Sequence, residues 1–496
     1  MPLTPNAIYK DFKNKDLDYN STLELLIMLI DNTENIKARL DCIEILDKIK
    51  SKDEKVFEIL ENLLISDLNK EIRNRAAVYI KTHFLDRALK PMRWALEYET
   101  TIKCLITIIS TISEINDEKS KSVLFNKLIY FYNQEIKYNL KNIFKVKNYE
   151  DFTIEDLAEI LINYFFILSL KKKFGYIKYE FDATGFITKL DLTNVDAQGT
   201  ILTNFLELIS SLKHLQVLDL RFNKLTKLVE IPIKINSLKT LDLSYNHIFT
   251  LKESIDKLKS LQTLNLKSNR LRNLPNSLGN LKLLQSLNLR NNLLKKIPES
   301  INSLKALEIL DLHGNKLNSI RFKLNSSIKK LELGWNNFFE VPPSIKLLTS
   351  LEELGLSGNK LKTVPKWISS LQSLKVLNLY DNSISHLPKS LGFLKSLEVL
   401  ILRNNNLLKL PNNFKHLKNL KILNLSWNYF THIPEWIGEL DSLEELNLWG
   451  NKLESLPRSI LSLSRLKILD INFNKFEFFP PFLKELERRK DLIIKY

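Results

Sequence analysis

The chain contains little glycine and almost no cysteine for its length. Among 496 residues there are 11 glycines and 2 cysteines. Loops that cradle phosphate groups need glycines at fixed spacing, because a Cβ atom would block the close approach of the backbone. No G-x-x-x-x-G-K-S/T or G-x-G-x-x-G pattern occurs in the sequence. This scarcity argues against a P-loop GTPase, a protein kinase and a dinucleotide-binding enzyme.

Cysteine and histidine are too scattered for a metal or thiol centre. The seven histidines include no H-E-x-x-H pair, and zinc sites need clustered cysteine and histidine ligands. Cys42 lies among apolar residues at helical spacing, and we interpret it and Cys104 as buried structural thiols. No G-x-S-x-G nucleophile elbow is present. We therefore predict a protein that is not an enzyme and that uses no metal, no cofactor and no catalytic residues.

Long apolar runs are missing as well. No window reaches the roughly 18 uninterrupted apolar residues of a spanning helix, so we expect no transmembrane segment. The first residues, MPLTPNAIYKDFKNK, include no apolar segment behind a basic start, as a secretory signal would have. Two cysteines in so long a chain suit a reducing compartment. These features together predict a cytoplasmic protein.

Charge is divided unevenly along the chain. Residues 1–200 contain 29 Lys+Arg and 31 Asp+Glu, whereas residues 201–496 contain 44 and 26. A basic surface attracts acidic proteins, anionic membranes and nucleic acids alike. The charge balance therefore does not choose among these partners.

An internal repeat dominates the C-terminal three-fifths. The segment LQVLDLRFNKL, which begins at Leu215, is followed by eleven further copies that end with LKILDINFNKF. All spacings between the asparagines of successive copies are 23 residues, except one of 21. These asparagines are Asn223, Asn246, Asn269, Asn292, Asn315, Asn336, Asn359, Asn382, Asn405, Asn428, Asn451 and Asn474. Repetition at such a period indicates a solenoid, whose units bury their apolar residues against neighbouring units.

The pattern resembles the leucine-rich repeat consensus L-x-x-L-x-L-x-x-N-x-L over residues ~185–496. The repeat tails, as in VPKWISSLQSL, carry a proline in phase and resemble the L-P-x-x-I type of intracellular scaffolds, including Ras-group-related plant proteins and animal Ras-pathway scaffolds. The shortened repeat places Arg321 where proline is expected. The resemblance implies a protein-interaction scaffold, with a small GTPase or another signalling protein as its partner by analogy.

The resemblance also implies the fold class. We expect an α/β protein whose residues 185–482 form about 13 repeats of a curved parallel sheet, beginning with a degenerate copy at Ile187. In each repeat the alternating leucines point inward, and the asparagine bonds to backbone as an inner ladder. An amphipathic helix over residues 483–496 is predicted to close the last repeat.

Residues 1–175 are predicted to form an all-α domain. Apolar residues recur at three- and four-residue steps, as helices require. The stretch 67–77, DLNKEIRNRAA, resembles a HEAT repeat, with weaker echoes at Asn35, Thr101 and Glu135. A HEAT-like α-solenoid and an unrelated helical bundle are both open interpretations. The basic stretch 171–175 is the expected junction to the repeats.

Candidate binding residues follow from the strand phase. The sheet face opposite the buried leucines, the concave face, carries a monotonous column of Asp and Asn that we interpret as structural. The next two columns vary and contain Trp, Tyr and Arg, the residue types that dominate binding hot spots. The predicted partner-binding residues are Arg221, Tyr245, Arg290, His313, Trp335, Tyr380, Arg403, Trp427, Trp449 and Phe473. The alternative is that these rings simply lie flat on neighbouring strands.

Lysines gather along the loop edges beside the strands. Their positions predict a basic rim, and such a rim is commonly a solvated loop edge. The same rim provides the alternative function, binding of a nucleic acid or another anionic surface, which would depend strongly on salt. Binding of a partner protein on the concave face is the favoured hypothesis.

Overall fold

The computed structural model describes residues 3–134, 148–196, 208–226, 235–320, 323–478 and 480–496. The chain divides into two compact units. The helical unit comprises residues 1–191 and 208–215, and the repeat unit comprises residues 192–207 and 216–496. The predicted HEAT echo at Glu135 and the irregular Arg321 lie outside the described residues.

In its described residues up to 174, the helical unit is all-α, as predicted. Its apolar side chains meet in one core in which Leu26, Leu46, Leu60, Ile80 and Ile108 are fully buried. The helices of its described residues are α1 (Pro5–Asn14), α2 (Tyr19–Asn32), α3 (Ile36–Ile49), α4 (Glu54–Ser66), α5 (Lys70–His83), α6 (Leu89–Tyr98), α7 (Ile102–Ile115), α8 (Glu118–Gln134) and α9 (Ile154–Phe174).

The same type of ion pair recurs between alternate helices of this unit. Helices α3, α5 and α7 each begin directly after one of the polar turns singled out in the sequence. Arg39 of α3 forms an ion pair with Asp67, in the turn before α5. Arg73 of α5 contacts Glu99, in the turn before α7, at 2.8 Å. The same contact between successive helix pairs fits a repeated α-solenoid, and the HEAT relationship itself stays a prediction.

The degenerate first copy of the repeat forms a strand at the end of the helical unit. Strand β2 (Ile187–Asp191) pairs antiparallel with β1 (Lys178–Phe181). The outer edge of β2 is therefore covered by a hairpin partner, which suits an entry cap because unpaired strand edges invite aggregation.

The repeat unit is a parallel sheet of short strands, one per repeat. Each strand pairs in register with the next one along the chain, so that Leu377 lies beside Leu400. This confirms the predicted solenoid. The strands are β3 (Val217–Asp219), β4 (Thr240–Asp242), β5 (Thr263–Asn265), β6 (Ser286–Asn288), β7 (Ile309–Asp311), β8 (Lys330–Glu332), β9 (Glu353–Gly355), β10 (Val376–Asn378), β11 (Val399–Ile401), β12 (Ile422–Asn424), β13 (Glu445–Asn447), β14 (Ile468–Asp470) and β15 (Ile493–Lys495).

In eight repeats the proline of the tail lies just before a short 3-10 helix. Pro365, for example, precedes Lys366–Ser370 with an extended backbone. Proline suits this position because its fixed φ fits the start of a helix and its missing N–H has no partner to lose. The 3-10 helices of the described repeat unit are Glu253–Lys257, Asn276–Asn280, Glu299–Ser303, Pro343–Leu347, Lys366–Ser370, Lys389–Phe393, Asn412–His416, Glu435–Glu439 and Arg458–Ser462.

The asparagines form the predicted inner ladder. The Asn246 amide donates to the carbonyl oxygens of Leu220 at 2.9 Å and Leu243 at 3.0 Å. Its oxygen accepts from the Leu225 N–H at 3.0 Å. Each ladder asparagine thus joins two repeats and satisfies buried backbone groups that the short strands leave unpaired.

The C-terminal helix is shorter than predicted. Helix α10 spans only Leu483–Glu487, and strand β15 then pairs with β14. The Arg489 guanidinium donates to the carbonyl oxygens of Leu463 at 2.7 Å and Leu466 at 2.8 Å. A helix over the whole of 483–496 would leave the β14 edge open, whereas β15 supplies it with a hydrogen-bonded partner.

Candidate functional site

The monotonous column of the concave face has a backbone role. Side-chain oxygens of its Asp and Asn residues accept the N–H two residues further on. Examples are Asp219 with the Arg221 N–H at 3.1 Å and Asn447 with the Trp449 N–H at 3.1 Å. These bonds hold the chain where it leaves each strand, as Asx turns do. They support the structural interpretation of this column and position the variable residue that follows.

The residue directly before each ladder asparagine has a left-handed backbone. Its φ lies between 51° and 68° in all twelve repeats. Seven of these positions hold small or polar residues that tolerate this conformation. The seven are Ser268, Asn291, Gly314, Gly358, Asp381, Asn404 and Gly450.

The other five positions hold aromatic residues. They are Phe222, Tyr245, Trp335, Trp427 and Phe473. The left-handed conformation costs a residue with a bulky side chain roughly 1–2 kcal/mol, and these rings are 40–78% exposed. Neither backbone preference nor burial accounts for them, and strained residues cluster at functional sites. This favours a binding role for the rings.

The predicted site residues fall into three groups along the sheet. In the first, the rings of Phe222 and Tyr245 stack at 4.5 Å with 9° between their planes. The Lys267 ammonium lies 5.3 Å above the Tyr245 ring. Arg221 forms an ion pair with Asp219 at 2.6 Å. Phe222, which is absent from the predicted residues, therefore belongs with them.

The middle group contains Arg290, His313 and Trp335. The Trp335 ring lies against Gly358, where a Cβ atom would stand 2.6 Å from the indole. Burial, and secondly the positive charge of Arg290, lowers the pKa of His313. Trp335 is nevertheless 51% exposed. Its ring thus rests on the next repeat, as the alternative interpretation predicted, and still presents half of its surface to solvent.

The third group is the largest, and we call it the C-terminal aromatic surface. It consists of Tyr380, Arg403, Trp427, Trp449 and Phe473. The Trp449 ring meets Trp427 edge-on at 5.2 Å and Phe473 at 5.8 Å. The Arg403 guanidinium lies 5.3 Å from the Trp449 ring and 5.8 Å from the Tyr380 ring. The fold therefore joins five predicted residues, from five successive repeats, into one surface.

The first strand position is apolar in four of the five repeats that carry the C-terminal aromatic surface, and Glu445 is the exception. Val376, Val399 and Ile422 occupy the first strand position of their repeats, where earlier repeats have Thr240 and Thr263. All five side chains are half-buried. The predicted site residues do not include these apolar side chains, because the first strand position mixes apolar and polar residues along the chain, with Val217 and Ile309 in earlier repeats.

A recess lies in the basic rim. It has a volume of about 570 Å³ and is lined by Arg272, Lys295, Lys296 and Lys316. The four basic side chains give this recess a positive charge that suits an anionic ligand.

Two observations concern other classes of site. Within the described ranges, no group of three or more His, Cys, Asp or Glu side chains is placed to hold a metal ion. Among the helices that the structure describes, none has the length and apolar character needed to cross a bilayer.

Two family models match the repeat unit. A leucine-rich repeat model matches residues 213–271, 236–294 and 260–317, and a model of a leucine-rich repeat region matches residues 359–488. No curated protein sequence matches the chain. The matched residues include ten of the twelve left-handed positions and the whole C-terminal aromatic surface.

Solved structures resemble the same part of the chain. A leucine-rich repeat protein of Leptospira interrogans is 31% identical over 62% of this chain and 95% of its own, with a TM-score of 0.44. The plant peptide hormone receptor RGFR1, solved in complex with RGF2, is 30% identical over 64% of this chain, with a TM-score of 0.52, and this chain spans 51% of its length. An internalin of Listeria monocytogenes shares the fold at 21% identity, over 63% of this chain and 90% of its own, with a TM-score of 0.53.

Proposed function

Because the chain belongs to the leucine-rich repeat family, we propose that it is a non-enzymatic scaffold that binds a partner protein on the concave face of its repeat unit. The leucine-rich repeat fold generally serves protein–protein interaction. RGFR1, which is 30% identical to this chain over the matched half of its length, is itself in complex with RGF2. The observation that carries the proposal is the set of five exposed rings at left-handed positions, of which Trp427 and Phe473 join the C-terminal aromatic surface.

The cellular setting is part of the same proposal. The two cysteines, Cys42 and Cys104, are free and buried, which supports a reducing, cytoplasmic compartment. The L-P-x-x-I form of the repeat tails favours a signalling scaffold, with a small GTPase as the proposed class of partner.

The test compares protein captured from source lysate by two variants of the full chain. One carries Trp335, Tyr380, Trp427 and Trp449 all replaced by Ala. The control carries Phe393→Ala, which removes a ring that is 46% exposed on the 3-10 helix Lys389–Phe393, away from the strands. We expect a protein partner that resists a high-salt wash on wild type and on the control but is lost on the quadruple variant. Equal capture by all three proteins would contradict the proposal.

Binding of a nucleic acid or another anionic surface is the second candidate, and the basic recess supports it. Neutralised phosphates release counterions, so the affinity of such a complex falls steeply with salt. The double variant Lys295→Glu and Lys296→Glu should then abolish capture of nucleic acid and leave capture of protein by the C-terminal aromatic surface intact. Capture of nucleic acid alone, insensitive to the aromatic substitutions and lost at high salt, would favour this function over the scaffold.

A further inference from the structure

We propose that Arg403 makes the C-terminal aromatic surface a receptor for a protein segment that presents one internal aspartate or glutamate between apolar side chains. The inference rests on the proposed function, since it names the chemistry of the partner that this surface would bind. It depends on the unmatched charge of Arg403, on the apolar surroundings of that charge, and on the positions of the rings around it.

Arg403 is a cation for which the chain provides no counterion in the described structure. Its Nε is buried without a hydrogen-bond partner, and none of the described ion pairs includes its guanidinium. The rings of Tyr380 and Trp449 flank the guanidinium, so part of its hydration shell is replaced by aromatic carbon. A carboxylate of a partner could accept from the two Nη groups in a two-point contact, which is a geometry that arginine favours.

Arg221 occupies the same position in its repeat as Arg403 does in its own, and the two arginines can be compared. Its guanidinium forms an ion pair with Asp219, the strand residue two positions before it, at 2.6 Å. The equivalent residue before Arg403 is Ile401. Ile401 interrupts a column that otherwise holds Asp, Asn, Glu or Gly, and it does so in the repeat that carries Arg403. The internal counterion is therefore replaced by an apolar side chain, which leaves the guanidinium available to a ligand.

The surroundings of Arg403 specify what accompanies the carboxylate. Tyr380 and Val376 belong to the repeat before Arg403. Trp427, Trp449 and Phe473 belong to the three repeats after it. Half-exposed rings of this kind gain most from burying apolar side chains of a partner. Because apolar contacts exist on both sides of the guanidinium, the bound segment continues past its carboxylate in both directions. An internal acidic residue fits this arrangement, and a chain terminus does not.

A carboxylate also suits the local charge better than a phosphate does. Arg403 supplies one positive charge, whereas a phosphorylated side chain carries about −1.5 to −2 at neutral pH. The same face carries Asp381, Glu445 and Asp470 at nearby repeat positions. These carboxylates would repel the second charge of a phosphate, since like charges in a partly desolvated site disfavour each other.

The probe for the test is a phage-displayed library of random peptides, selected on the immobilised full chain. We expect enriched peptides to share an internal Asp or Glu with apolar residues on both sides. Replacing that residue by Asn or Gln should weaken binding by about tenfold or more, because a hydrogen bond to a charged group contributes roughly 1.5–3 kcal/mol. Arg403→Ala should cause a similar loss and Arg403→Lys a smaller one. The control Arg458→Ala, at an exposed arginine of the 3-10 helix Arg458–Ser462, should cause none.

Charge exchange gives a second readout. Arg403→Glu should reject the selected peptides and accept, at least in part, versions in which the acidic residue is replaced by Lys. Recovery in this pair excludes misfolding of the variant as the cause of the loss, since a misfolded surface would bind neither version.

The outcomes separate this inference from the proposed function. Peptides that lose binding with Trp427→Ala but contain no acidic residue would overturn the role of Arg403 and leave the scaffold function standing. A requirement for a free C-terminus or for a phosphate would also overturn it. Peptides that bind regardless of both Trp427→Ala and Arg403→Ala, or an empty selection, would count against the C-terminal aromatic surface altogether.

Discussion

Two adjacent asparagines, Asn405 and Asn406, allow a direct measurement of the ladder. The Asn405 amide donates to the carbonyl oxygens of Leu379 at 2.9 Å and Leu402 at 3.1 Å. Its oxygen accepts from the buried Ile384 N–H at 3.0 Å. The side chain of Asn406 is exposed. The pair thus has the same chemistry and neighbouring positions but opposite roles in the solenoid.

The expected effect of Asn405→Ala follows from the groups that it leaves behind. A buried donor without a partner costs about 1–3 kcal/mol, and each carbonyl that loses a bond adds a smaller amount. We expect a loss of about 3 kcal/mol in the free energy of unfolding. Asn406→Ala should stay within about 0.5 kcal/mol of wild type, as surface substitutions usually do.

The assay should resolve where in the solenoid the loss falls. Solenoid stability is approximately a sum over repeats and their interfaces, so global unfolding does not locate a defect. Native-state hydrogen exchange of the Ile384 N–H does, and a loss of about 3 kcal/mol corresponds to exchange faster by roughly 100-fold. Equal losses for Asn405→Ala and Asn406→Ala, or a loss below about 1 kcal/mol for Asn405→Ala, would refute the ladder as a source of stability.

Three further predictions use other features of the chain. Burial raises the pKa of Glu159, and the charge of His214 partly opposes this rise. Folding therefore favours the neutral acid, and this stability is lost as pH rises from the pKa of the unfolded chain through the raised pKa. Glu159→Gln should increase the melting temperature at neutral pH. Phe473→Asn should weaken partner binding and leave the free energy of unfolding within about 0.5 kcal/mol of wild type. The ring is 78% exposed, so its removal costs roughly 1 kcal/mol of apolar burial, and relief of a similar backbone strain offsets this cost. Gly358→Ala should destabilise the chain by about 2 kcal/mol and shift tryptophan fluorescence, because its φ is +60° and its new methyl would displace Trp335.

Two of these predictions have a matched control, and the third has an outcome that would contradict it. Glu155→Gln changes an exposed carboxyl on the same helix as Glu159, and an equal rise in melting temperature for both would contradict the burial argument. Gly450 has φ +67°, but its added Cβ would stand 3.4 Å from Trp427, so Gly450→Ala should add strain without moving a ring. A destabilisation by Phe473→Asn of more than about 2 kcal/mol would mean that the ring is kept for stability.

Much of the fold was predictable because the spacing of residue types along the chain defines the repeat. Buried leucines, ladder asparagines and tail prolines each have one local physical role, so a pattern of residue types suffices to place them. The end of the chain was harder. The apolar residues of 483–496 suit a helix as well as a strand, and the free edge of β14 decides that Ile493–Lys495 pair as β15.

The candidate site was predictable only as a list of residues. Strand phase placed Arg403 and Trp449 on one face, but the ring and guanidinium distances depend on side chains from different repeats.

The ion pairs beside the strands were also not predictable from the sequence alone. The ion pairs Glu308–Lys329, Glu352–Lys375, Glu398–Lys421 and Glu444–Lys467 cross between repeats at 2.7–3.0 Å, and the linear sequence shows them only once the register of neighbouring strands is known.

The sequence by itself determined that the chain has a helical part followed by a leucine-rich solenoid, and it determined the face on which variable residues lie. Periodicity suffices for this because it sets which side chains each repeat buries. Only the tertiary structure decided that five rings lie at left-handed positions and that Arg221 has a counterion while Arg403 does not. The backbone φ and the side-chain geometry at these positions are set by the folded turn and by the packing of neighbouring repeats, and a pattern of residue types does not specify either of them.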